Sequence, residues 1–78
     1  MGKRSEAGYA GGVRIELNGQ PREVPDGTTV AALLALFALD VPRLAVEVNA
    51  RVVARARHQE TALAPGDRVE IVTFVGGG

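Results

Sequence analysis

The chain has 78 residues, nine basic against nine acidic, a single histidine, no cysteine, and 46% hydrophobic composition. That length holds one domain, near the lower limit for folding without a disulfide or a metal. The lack of cysteine excludes disulfides, thiolate metal sites and a thiol nucleophile on this chain, and it fits a reducing, cytoplasmic compartment. The balanced charge lacks the basic field with which proteins neutralise nucleic-acid phosphates.

The opening "MGKRSEAGYAGG" has no apolar segment of the kind a signal peptide requires. It reads as a disordered extension or cloning remnant over residues 1–12, ahead of a domain over 13–75 and a glycine tail over 76–78. "VRIELN" then alternates, with Val13, Ile15 and Leu17 apolar between polar neighbours, and Asn18-Gly19 tolerates the positive φ of a tight turn. This predicts a hairpin, Val13 to Asn18 and Pro21 to Val24. Pro25-Asp26-Gly27 breaks it. Thr28 or Thr29 can cap a helix running to about Leu39, on which Val30, Leu33, Leu34 and Phe37 form an apolar stripe and Ala31, Ala35 and Ala38 the other face. Asp40 and the Val41-Pro42 step end it. The apolar run "VAALLALFAL" is about half of the ~20 residues a bilayer span needs, which argues against a membrane.

"LAVEVN" alternates again, Val46 and Val48 against Ala45, Glu47 and Asn49. Val52-Val53 is a candidate short strand, and Ala56 to Thr61 reads as a loop or a single helical turn. After Pro65-Gly66-Asp67, Val69, Ile71 and Thr73 alternate with Glu70, Val72 and Phe74 in a last strand. The order β-β-α-β-(β)-β describes an α+β domain, a mixed sheet of four or five strands with one main helix on one face, as in the ubiquitin-like β-grasp. The expected core is Val13, Ile15, Leu17, Val24, Val30, Leu33, Leu34, Phe37, Val46, Val48, Leu63, Val69 and Ile71.

Side-chain catalysis has little to work with. His58 reads as a solvated loop residue without a role, and no nucleophile-base pair or metal-ligand set can be assembled around it. The remaining reactive group is the carboxylate of Gly78, ionised at neutral pH and preceded by Gly76 and Gly77, which offer no side chain to obstruct a narrow cleft. If Val69 and Ile71 face the helix, Val72 and Phe74 point out of the open sheet face beside this tail, where a partner would dock. The alternatives are that residues 53–62 fold back over Phe74 and that the glycines are a frayed end.

"IELNGQPREVPDGTTVAALLALFAL", "LAVEVNARVV" and "LAPGDRVEIVTFVGGG", spanning Ile15 to Gly78, closely resemble the ThiS-type bacterial sulfur carriers of thiamine biosynthesis. The resemblance implies a protein co-substrate without its own catalytic site. An E1-like adenylyltransferase of the ThiF type would activate Gly78 with ATP, which is used by that partner while the carrier itself binds no cofactor. Cysteine-derived sulfur would convert the adenylate to a thiocarboxylate, and a thiazole synthase of the ThiG type would take the sulfur. The family's docking face maps onto Val72 and Phe74, with Ala45, Glu47 and Glu70 around it, and the free carrier is expected to be monomeric. Residues 1–12 lie outside the family pattern, and Gly76 extends its minimal glycine pair. Two rivals share the fold. The small subunit of molybdopterin synthase differs in its Pro-Pro-containing approach to the terminal glycines, and a β-grasp interaction module would bind through its sheet without using its carboxylate.

Overall fold

In the computed structural model, which describes residues 12–39 and 41–74, the alternating segments form a five-stranded sheet. Its strands are β1 (Gly12–Leu17), β2 (Gln20–Pro25), β3 (Leu44–Val48), β4 (Arg51–Val53) and β5 (Arg68–Thr73), in the spatial order β2-β1-β5-β3-β4. β1 and β5 run parallel at the centre and the other neighbours are antiparallel. Asn18 (φ 50°) and Gly19 (φ 83°) close the first hairpin between paired Leu17 and Gln20, the two-residue turn whose twist matches that of the strands. Asn49 and Ala50, also at positive φ, make the equivalent turn from β3 to β4, with alanine where glycine is usual.

Period two decides which residues are buried. Val13, Ile15, Leu17, Val24, Val46, Val69 and Ile71 point to one side of the sheet and meet Val30, Leu33 and Leu34 of the helix α1 (Val30–Leu36), with Leu63 completing the cluster. Phe37 and Val48, expected in the core, are only partly buried against it. The guanidinium of Arg22 lies 5.5 Å from the Phe37 ring centroid, so that edge of the core is closed by a cation over an aromatic face.

Thr29 is the helix cap, accepting from the Ala32 amide at 3.1 Å, while the buried Thr28 donates its hydroxyl to the Pro25 carbonyl at 2.6 Å. The helix is shorter than its apolar run predicts, ending at Leu36 rather than near Leu39. The Ala38 amide turns back to the Ala35 carbonyl (3.2 Å) and the Leu39 amide to that of Leu34 (2.7 Å), with Ala38 at φ 56°. These are the paired bonds of a Schellman ending, and they fold Leu39 back towards the core. Left-handed backbone is costly for an alanine, and Ala38 is exposed, so little packing depends on its methyl group. Ala38→Gly is therefore expected to stabilise the fold by about 0.5–1 kcal/mol, the relief of strain exceeding the extra unfolded-state entropy of glycine. Thermal unfolding should show a rise in Tm of about 2–8 °C.

Residues 54–63 contain a 3₁₀ turn (Arg55–Arg57) and pass over the start of α1. The His58 and Thr61 carbonyls accept from the Ala31 and Val30 amides at 3.0 and 2.9 Å, occupying helix donors that have no partner within the helix. His58, read from sequence as a solvated residue, is buried at 5% exposure, and its Nε2 donates to the Val53 carbonyl at 3.1 Å. It is a structural anchor for this loop. Among the described residues no helix is long and apolar enough to cross a membrane, and no group of His, Cys, Asp and Glu could hold a metal.

Candidate functional site

The helix covers one face of the sheet and leaves the other open. On β5 the core-facing Val69 and Ile71 alternate with Glu70 and Val72; on β3 the core-facing Val46 alternates with Ala45 and Glu47. The register brings the outward residues side by side: Ala45 pairs with Val72, Glu47 with Glu70, and on the far side of β3 Glu47 pairs with Val52. Val72 is 51% exposed, Val52 73% and Phe74 55%. The five residues expected on a docking face are thus neighbours, and Val52 joins them. Sequence reading placed Val52 in a short strand without assigning its face, because three residues are too few to show alternation.

Phe74 continues the β5 ladder past the strand's last residue, its amide donating to the Arg43 carbonyl at 3.0 Å. Beside it lies an open groove of about 490 Å³ between Leu39, Val41, Pro42 and the aromatic ring. Residues 53–62 do not cover this ring: their backbone is held at the start of the helix by Ala31 and Val30, and Arg55 reaches the Val41 and Pro42 carbonyls, at 3.3 and 3.0 Å. Gly76, Gly77 and Gly78 lie outside the described residues.

Two asparagines pin β5 in this position. Asn18 follows the last residue of β1, and its side chain takes over where that strand stops, Oδ1 accepting from the Ile71 amide at 2.8 Å and Nδ2 donating to the Ile71 carbonyl at 3.3 Å. Asn49 acts likewise at the end of β3: Oδ1 accepts from the Arg68 amide and Nδ2 donates to Asp67, both at 3.0 Å. Asp67 in turn accepts from the Ala64 amide at 2.8 Å. The open face has a charged end as well, where Arg68 and Glu16 approach to 3.7 Å as a solvent-exposed pair of small energetic weight.

Strand order, the central parallel pair and the single helix define a ubiquitin-like β-grasp domain, with an exposed apolar patch at the C-terminal end of its central strand. The ThiS family model matches residues 15–78. The chain belongs to the ThiS family. It is 37% identical over 65 residues to the sulfur carrier protein ThiS of Bacillus subtilis, covering 82% of this chain and 98% of that one. The crystal structure of the thiamine biosynthesis protein ThiS from Geobacter metallireducens superposes with a TM-score of 0.71 at 30% identity, covering 85% of this chain and all of that one. A thiazole synthase of Paramagnetospirillum magneticum is 36% identical over 66 residues, 85% of this chain but only 20% of the relative, so the chain spans about a fifth of that protein's length.

Proposed function

We propose that this chain is a sulfur carrier for thiazole formation in thiamine biosynthesis, and that its activity resides in Gly78. The observation that carries the reading is the near end-to-end match to the Bacillus subtilis carrier, combined with a family match that extends to Gly78 itself. An E1-like adenylyltransferase docks on the open face, and the Gly78 carboxylate attacks the α-phosphate of ATP, expelling pyrophosphate. The resulting acyl-adenylate is attacked at its carbonyl carbon by cysteine-derived sulfur; AMP leaves and a thiocarboxylate remains, from which thiazole synthase takes the sulfur. The similarity between this chain and one-fifth of a thiazole synthase supports that second partner, because a domain of this type is carried there on the same polypeptide as the rest of the synthase. On this reading the chain supplies a fold and a terminus, while catalysis belongs to its partners.

A cysteine-free carrier makes the test clean, since a thiol-selective reagent has no side-chain target on it. The protein is incubated with ATP, sulfide and the adenylyltransferase of its own organism, alkylated at mildly acidic pH, and weighed intact and as its C-terminal fragment. An ATP-dependent label confined to the fragment bearing Gly78 is expected. No label, from an enzyme active on another carrier, would move the assignment to a β-grasp module that binds through its sheet.

A further inference from the structure

Glu47 and Glu70 are direct cross-strand partners on the open face. Like charges so placed oppose each other at the separation of paired Cβ atoms, about 4.5–5.5 Å, and destabilise a sheet. The nearest cation on β5, Arg68, leans to Glu16, and among the described residues no hydrogen bond or ion pair reaches either carboxylate. The pair borders apolar surface on the side towards the tail, with Val72 and Ala45 at the next register position and Val52 across from Glu47, while Asn49 and Arg68 flank it on the other side. A protein that covers both Val72 and Val52 covers Glu47, which lies beside the line between them, and closes against Glu70 next to it. Two like charges taken from water without a counter-ion cost more than such an apolar patch returns.

We propose that the protein partner docking on this face presents an arginine that seats between Glu47 and Glu70, flanked by apolar residues that meet Val72, Val52 and Phe74. A guanidinium has five donors in a planar fork, enough to bridge two carboxylates at once, which a single ammonium does less well. The glutamate pair is then a specificity determinant: repulsion is tolerated in the free carrier and relieved only against a surface with the matching charge. This inference rests on the docking reading above and adds the chemistry of the partner.

The test compares Glu47→Gln/Glu70→Gln, Glu70→Lys and Phe74→Ala with the unaltered chain, and takes Glu60→Gln, in the loop on the helix side, as control. Tm and the Kd for the organism's E1-like adenylyltransferase are measured between about 50 and 300 mM salt, where screening of exposed charges changes most. The double glutamine variant is expected to melt about 1–5 °C higher, yet to bind at least about tenfold more weakly and with a flatter salt dependence. Glu70→Lys gives Glu47 a partner within the sheet and should weaken binding further. If Phe74→Ala weakens binding while both glutamate variants bind as the unaltered chain does, the arginine is wrong and the docking face stands. If none of the three changes Kd, the partner docks elsewhere and both ideas fall. A lower Tm in the double glutamine variant would show that the carboxylates are compensated in the free fold, which also overturns the proposal.

Discussion

Deletion of Gly77 and Gly78 is expected to leave the melting temperature unchanged and to abolish the ATP-dependent label. The first half follows from the core, because among the described residues every buried hydrophobic one lies between Val13 and Ile71, and β5 ends at Thr73. The second half follows from reach. The shortened chain still ends in a glycine carboxylate, at Gly76, but that group is about 7 Å short of its former position, at roughly 3.3–3.6 Å per extended residue. A misplacement of even 1 Å at a reacting centre can cost about a hundredfold in rate, so a 7 Å deficit leaves no useful attack on ATP. Gly78→Ala separates reach from width: the carboxylate keeps its distance but gains a neighbouring methyl group, and labelling is expected to slow rather than vanish. Labelling of the truncated chain at the original rate would show that any terminal carboxylate near this face suffices. A fall in Tm would show that the tail packs on the domain.

The largest stability effect outside the apolar core is expected at Asn18. Asn18→Ala removes both side-chain bonds to Ile71 and leaves the amide of a buried strand residue without its partner, while placing an alanine at φ 50°. An unsatisfied amide costs about 1–3 kcal/mol and the left-handed alanine adds about 1, for a total of about 2–4 kcal/mol. For a domain of this size that is a large share of the total stability, and should lower Tm by about 10–25 °C. Asn18→Gly relieves the backbone and should recover about 1 kcal/mol. Asn18→Asp keeps the acceptor for the Ile71 amide and loses the donor, so it should fall between the alanine variant and the unaltered chain. Equal losses in alanine and glycine variants would assign the whole effect to the hydrogen bonds. Because Asn18 fixes the strand that carries Glu70, Val72 and Phe74, the alanine variant should also weaken partner binding at temperatures where it remains mostly folded.

The sequence by itself determined the elements and their faces. Alternation along Val13–Leu17 and Val69–Thr73 states which side chains go inward, and the spacing of Val30, Leu33 and Leu34 does the same for the helix, because these periods are properties of the local backbone. Eleven of the thirteen expected core residues are buried, ten of them on these strands and the helix and the eleventh, Leu63, in the loop before β5. The exposure of Val72 and Phe74 follows from the same alternation. What only the tertiary structure decided involves partners distant in the chain. The opposition of Glu47 and Glu70 depends on how β3 registers against β5, and Asn18 meets Ile71 across a separation of 53 residues. His58 sits between Arg57 and Gln59 in a stretch with no period, and it is buried because the loop that carries it must cover the unpaired amides at the start of α1. The helix stops at Leu36 although its apolar run continues, since Leu39 gains more by folding back against the core than by extending a turn away from it. Local periodicity can assign a face. It cannot say which residue of another strand will lie opposite, because register is set by the packing of the whole sheet against its helix.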